Sequence, residues 1–241
     1  MKRKTASVLM ALLMLINASS ISVFAASNST SASSKAAISS GQITEKQVIS
    51  IIPLDSRPCN TQYPQLTGGI MNQTVLLPPS EILDNYTSAS DSEALWKWMQ
   101  DKASVSDNMI IFTNQLFNGG LISSRSYVNS DSIEYDVNRL SKFIRENPQL
   151  EVTVVSILPR LLPKYQRSLA AWGKQLDLNY TLQKPEPPFP ADVPSEIAQR
   201  YRDLYTYHAK LATSISELAG QGLIKKYYIG QDDGEQFAPS N

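Results

Sequence analysis

The chain has 241 residues, 22 basic and 22 acidic side chains, one His and one Cys, with 42% hydrophobic, 18% charged and 8% aromatic residues. Zero net charge without a basic run in the body of the chain argues against a nucleic-acid partner, which needs positive surface to displace counterions from phosphates, and the hydrophobic share is too high for a disordered protein. One Cys cannot close an intrachain disulfide, and one Cys with one His cannot build a four-ligand zinc site.

Met1-Lys2-Arg3-Lys4 is a cationic start, residues 8–16 are an apolar core, and Ser22-Val23-Phe24-Ala25 offers small residues where a signal peptidase cuts. Residues 1–25 therefore read as a secretory signal peptide. Asn17, Ser19, Ser20 and Ser22 interrupt the apolar run short of the about 20 residues a membrane-spanning helix needs, so no transmembrane span is expected once the signal is removed. Residues 26–41 are Ser- and Ala-rich with little to bury, the composition of a disordered spacer. A secreted or cell-envelope location is expected, with an α/β domain over residues 42–241.

Residues 48–54 (VISIIPL) form a nearly continuous β-branched run, the pattern of a strand buried on both faces. A second short strand is expected at 74–77 (TVLL), closed by Pro78-Pro79 and joined to the first by a loop. Ser90-Asp91-Ser92-Glu93 matches a capping box that opens a helix to about Lys102, with Leu95, Trp98 and Met99 inward. Residues 108–112 (NMIIF) are the third strand, and Ile133, Val137, Leu140 and Ile144 form the apolar stripe of a helix over 131–147. Residues 151–158 (EVTVVSIL) are the fourth strand. A short helix over 165–176 and a proline-rich loop over 184–194 follow, the loop serving either as a lid or as a plain surface connection.

The longest helix is expected over 195–219, with Ile197, Tyr201, Leu204, His208, Leu211, Ile215 and Leu218 along one stripe, stopped by Gly220 and Gly222. Residues 226–230 (KYYIG) are the fifth strand. Strands separated by helices make this an α/β fold with a mainly parallel sheet and right-handed crossovers. In such sheets ligands gather at the carboxyl ends of the strands.

The candidate functional residues fall at those ends. Asp55 and Arg57, with Asn60 in the same loop, can grip a substrate or pair with each other. Cys59 is a weak candidate nucleophile, because the single His lies on an apolar helical stripe. Gly119 and Gly120 would let backbone amides approach a ligand, with Arg125 adding charge, or they form an ordinary tight turn. The full spacing of a phosphate loop is missing, so no nucleotide cofactor is implied. Arg160 ends the fourth strand, and Asp232-Asp233 ends the fifth. One of these two acids together with Asp55 would supply the carboxylate pair of a glycoside hydrolase or oxygen ligands for a divalent cation such as magnesium or calcium, whereas their plain reading is a turn.

Ile52-Pro53-Leu54-Asp55-Ser56-Arg57-Pro58-Cys59-Asn60, Leu77-Pro78-Pro79-Ser80-Glu81-Ile82-Leu83, Gly119-Gly120-Leu121-Ile122-Ser123-Ser124-Arg125 and Gln231-Asp232-Asp233 together resemble the successive motifs of the bacterial domain of unknown function 4127 family, from about Val48 to the last residue. The resemblance brings no reaction with it. It implies an Asp in many relatives where this chain has Asn114, an aromatic where it has Asn118, and relatives about twice as long, so the chain is expected to be truncated or the first half of a larger α/β or barrel-like unit.

Two functional readings follow. The first is an extracellular hydrolase acting on carbohydrate, with Asp55 and Asp233 as acid and base and Arg57, Arg125 and Arg160 orienting an anionic or polyhydroxylated ligand. The second is a non-catalytic extracellular protein in which Arg57, Asn60, Gly119, Gly120, Arg125, Arg160 and Asp232 hold a small molecule or glycan. An inactive truncated chain is the third possibility.

Overall fold

Five parallel strands form one open sheet in the order β2-β1-β3-β4-β5. The computed structural model describes residues 46–85, 88–125, 130–159 and 195–232. The expected leader and spacer, the helix over 165–176, the proline-rich loop, Arg160 and Asp233 lie outside them. Strand β1 is Val48–Ile52, β2 Thr74–Leu76, β3 Asn108–Phe112, β4 Glu151–Leu158 and β5 Lys226–Gln231. The helices are α1 Gln62–Ile70, α2 Ser92–Ala103, α3 Thr113–Asn118, α4 Ser132–Glu146 and α5 Ser195–Gly220. The strands and the helices α2, α4 and α5 stand where periodicity predicts them. The sheet is open among the described residues and does not close into a barrel.

Register fixes which side chains share a face. Ile52 pairs with Ile111, Ile111 with Val154 and Val154 with Tyr227, so one row crosses four strands. That row belongs to the main core together with Leu95, Trp96 and Met99 of α2, Leu140 and Phe143 of α4, and Tyr207, Leu211 and Ile215 of α5. Arg139 of α4 lies over the Trp96 ring at 4.6 Å and donates to Glu93, tying α4 to α2. Helix α1 packs on the other face: a Cβ on Gly68 would come within 2.5 Å of Val75, whose neighbours Thr74 and Leu76 point away from it. Right-handed crossovers produce this split, because the chain moves one way along the sheet from β1 to β2 and the other way from β2 onward.

Two elements differ from the sequence reading. The connection between β1 and β2 is not a plain loop but contains α1, whose sequence QYPQLTGGI hides it. Pro64 is tolerated in the first turn, where no intrahelical N–H is required, and the buried residues are Pro64 and Gly68, while Tyr63, Leu66 and Ile70 face solvent. The cap of α2 shifts by one residue from the expected box: Asp91, not Ser90, is the cap, and its Oδ1 accepts from the Ala94 amide at 3.0 Å. Ser90 instead donates to the Gln115 carbonyl, and Glu93 pairs with Arg139 rather than reaching back to the cap.

Among the described residues no helix is long and apolar enough to cross a membrane. Leu140 is wholly buried between sheet and helices, whereas Leu66 is mostly exposed. Leu140→Ala should therefore cost about 2–5 kcal/mol through lost burial and the cavity left behind, and Leu66→Ala should stay within about 0.5 kcal/mol. Urea midpoints at constant slope check both, and equal effects would contradict this packing.

Candidate functional site

The strand order reverses its direction of growth at β1 and β3, and in doubly wound sheets of this order the crevice at that reversal is where ligands bind. Three segments meet there. The first follows β1, where Asp55 is 1% exposed and its carboxylate is surrounded by donors. Oδ1 accepts from the Arg57 amide at 3.0 Å and from Asn60 Nδ2 at 2.6 Å, and Oδ2 accepts from Arg57 Nε at 2.8 Å and Nη2 at 2.5 Å. The amide bond two residues on is an Asx turn, which suits an Asp at a strand exit. Of the two roles open to Asp55 and Arg57, the structure shows the ion pair. The Arg57 side chain is still 52% exposed. Hydrogen bonding to Asp55 raises its pKa first of all, burial works against this, and the charges of Asp55 and, more weakly, Asp232 add to it.

The second segment lies between β2 and α2 and supplies Asp84, 3% exposed. Its Oδ1 accepts from the Ser56 amide at 2.7 Å, binding this segment to the loop after β1. Gln115 completes the contact: its amide nitrogen donates to Asp84 Oδ1 at 3.1 Å, and its oxygen accepts from the Asp84 amide at 2.9 Å. Burial pushes the Asp84 carboxyl above its usual range, and the nearby Asp55 charge pushes it the same way, against the Ser56 and Gln115 bonds. A Cβ on Gly120 would sit 2.8 Å from Asp84 Cγ and 2.9 Å from Oδ2. The Ser56 side chain adds a weaker hydrogen bond to the same carboxyl.

The third segment runs from α3 through Arg125. Gly119 and Gly120 have φ of 77° and 111°, and both amides turn back to the Asn114 carbonyl. They thus form the tight turn of the two readings, and Gly120 also makes room for Asp84. Asn114 is the second residue of α3, not on β3, and is saturated: Nδ2 donates to the Ile157 carbonyl at 2.8 Å and Oδ1 accepts from the Ile157 amide at 2.9 Å. An Asp at this position could not donate to that carbonyl, so the amide fits the present neighbours. Asn118 donates to Tyr207 Oη at 2.8 Å, and its buried Oδ1 meets no donor among the described residues.

Arg125 and Asp232 come together, with Nη2 2.5 Å and Nε 3.1 Å from Asp232 Oδ2 and little exposure on either side chain. Cys59 and His208 do not pair: Cys59 is an exposed thiol, and His208 Nε2 donates to the Ser124 carbonyl at 3.0 Å, edge-on to Tyr207. Among the described residues no group of three or more His, Cys, Asp or Glu side chains could hold a metal ion. The structure thus gathers Asp55, Arg57 and Asn60 in one loop and joins Arg125 to Asp232. It adds Asp84 and Gln115, which sequence reasoning passed over. The one available signal for Asp84 is an acid set directly after Ile82-Leu83 in the second motif.

Burial lowers the His208 pKa from 6.5 to about 4, while the bond to Ser124 acts in the opposite direction. The unfolded chain therefore binds this proton more readily, and the stability carried by neutral His208 is complete above pH 6.5 and lost as pH falls toward 4. The loss is on the order of 3 kcal/mol. Asp84 has the opposite sign: its raised pKa favours the folded state below 3.8, and that contribution fades as pH rises through the folded value. Urea unfolding between pH 4 and 7 should show the His208 slope in the native chain and lack it in His208→Gln; equal slopes would refute the assignment. At Gly120 the positive φ and the Asp84 contact act together, so Gly120→Ala should lower stability by roughly 1–3 kcal/mol, read as a fall in the urea midpoint.

The model of the family described as protein of unknown function (DUF4127) matches residues 49–241, and the chain belongs to this family. No curated protein and no solved structure matches it.

Proposed function

We propose that this member of the DUF4127 family is a hydrolase acting on carbohydrate, with its acid–base site in the crevice between the loops after β1 and β3. The observation that carries this reading is the pair of buried carboxyls, Asp55 and Asp84, whose surroundings differ sharply. Asp55 is held by two amide-type donors and a guanidinium, whereas Asp84 is buried, raised in pKa and, among the described residues, hydrogen bonded to Ser56 and Gln115 rather than to a cation. A buried carboxyl whose pKa is raised is suited to donate a proton.

Asp84 is the proton donor in this reading. It would protonate the glycosidic oxygen as the C–O bond breaks, water adding its hydroxyl to the anomeric carbon and its remaining proton going to the base. Asp55 acts by bracing Arg57, which offers its exposed edge to the sugar, and by stabilising positive charge that develops at the ring. Asp233 and Arg160 remain candidates from the sequence for the base and for ligand orientation, with Asn60 and the Gly119-Gly120 turn at the edge described. The cationic and apolar leader supports export of this activity to the envelope or beyond.

A non-catalytic glycan-binding role is the second reading. It is favoured by the full set of donors on Asp55, which leaves this carboxylate no free oxygen for proton transfer.

Asp84→Asn decides between them. Asparagine can still accept from Ser56 and Gln115, and it removes a buried acid, so the variant should melt at the native temperature or above it at neutral pH. On an oligosaccharide hydrolysed by the native chain, drawn from a panel of neutral sugars, amino sugars and cell-wall fragments, its kcat/KM should fall roughly 100-fold or more and lose the alkaline limb of the pH profile. Unchanged turnover by a folded Asp84→Asn protein would eliminate Asp84 as the acid. Saturable binding across the panel without any turnover by the native chain would favour the second reading.

A further inference from the structure

Four charged side chains lie along the carboxyl edge of the sheet. Asp55 and Arg57 stand after β1, Arg125 after β3, and Asp232 at the end of β5. Asp232 presents a carboxylate oxygen to both Nε and Nη2 of Arg125, the way an arginine receives an anionic ligand. Its place is set by the sheet itself, since its amide donates to the Leu158 carbonyl at 2.9 Å and continues the β4–β5 ladder. Strands β1 and β3 are neighbours, so the segments that carry Arg57 and Arg125 leave the same edge side by side, and the Asp232 charge is the weakest of the influences that raise the Arg57 pKa. Arg57 uses Nε and Nη2 on Asp55, while its side chain is half exposed and its Nη1 has no hydrogen bond among the described residues. One guanidinium is thus held rigid and open, and a second is occupied by a carboxylate that both can sense.

We propose that Arg57 and Arg125 form a two-guanidinium clamp for an anionic group on the substrate, and that Asp232 fills the Arg125 half of this clamp in the free protein. The inference rests on the reading of this edge as a carbohydrate site and narrows its substrate class to saccharides carrying a carboxylate or a phosphate. Binding would then proceed by exchange. The ligand's anion takes the fork on Arg125, its other end meets Arg57, and Asp232 turns toward solvent. Such a substitution costs less than creating a cation pair without an anion, because the site is neutralised both before and after ligand arrives. Discrimination against neutral sugars follows from the same exchange, since a hydroxyl cannot replace the carboxylate charge that leaves.

Equilibrium binding to the full chain tests the clamp without requiring turnover. Glucuronate, glucose 6-phosphate, inorganic phosphate and glucose are titrated into the native protein, Asp232→Asn and Arg125→Gln, with circular dichroism reporting folding. Removal of the internal competitor should tighten the anions by tenfold or more in Asp232→Asn, Arg125→Gln should lose them, and glucose should be indifferent to both. A preference for glucuronate over the two phosphates identifies a carboxylate substrate, and the reverse identifies a phosphorylated one. Anion affinity unchanged in folded Asp232→Asn, or retained in Arg125→Gln, overturns the clamp. If Asp232→Asn does not fold, Arg57→Lys takes its place, because lysine keeps the charge and loses the fork; anion affinity must then fall tenfold or more, and an unchanged value overturns the proposal. Loss of the clamp would leave hydrolysis of neutral saccharide by Asp84 standing, and failure of the hydrolase reading would leave anion binding intact.

Discussion

The reversal of winding at β1 is the constraint from which the site follows. The chain leaves β1 for β2 by way of α1 on one face and then returns past β1 to β3 by way of α2 on the other. The loops after β1 and β3 are thereby drawn apart, and no crossover helix can fill the space between their carboxyl ends. Polar side chains occupy it instead. Asp84 is the piece that holds them, because one of its oxygens binds both the Ser56 amide from the β1 loop and the Gln115 amide from α3. A carboxyl is well suited to this position, since a single oxygen can accept from two directions without moving either loop.

The strands could be read from the sequence because doubly buried parallel strands need little more than a run of β-branched residues, and residues 48–52, 108–112 and 151–158 provide such runs. Helices α2, α4 and α5 were equally legible, since their apolar stripes match the faces that meet the sheet. Helix α1 was not, for a physical reason. It approaches β2 through Gly68 and buries Pro64, so the residues that pack are small or helix-poor, and the large apolar ones point outward. Periodicity looks for the opposite arrangement. Helix α3 is too short to show a period, and its Thr and Asn residues favour other conformations unless packing holds them.

The site was legible by halves. Asp55, Arg57 and Asn60 announce themselves as polar residues directly after an apolar strand, and they share a loop as their spacing suggests. The encounter of Arg125 with Asp232 spans three strands of the sheet edge, from the exit of β3 to the end of β5, and no local spacing carries that information. Asp84 and Gln115 were hidden for a related reason. Each is a single polar residue in an unremarkable segment, and their importance arises only when strand order brings both segments beside Ser56.

Buried acids also explain how such a site can persist in a stable domain. Asp84 would be better solvated outside, and its ionised form is opposed by burial and by Asp55. Burial on α5 also disfavours the charged form of His208, but with the opposite consequence: neutral His208 supports the fold above pH 6.5, whereas the raised pKa of Asp84 favours the folded state at low pH and gives that up as pH rises. The two groups therefore bend the stability curve in opposite directions, one securing the packing of α5 on the Ser124 turn and the other storing unfavourable free energy in the crevice. Keeping the destabilising acid at the switch point, away from the row Ile52, Ile111 and Val154, confines its cost to loops whose hydrogen bonds already fix them. The main core can then remain apolar and close packed, while the edge above it holds a carboxyl that burial and the Asp55 charge push above its usual range.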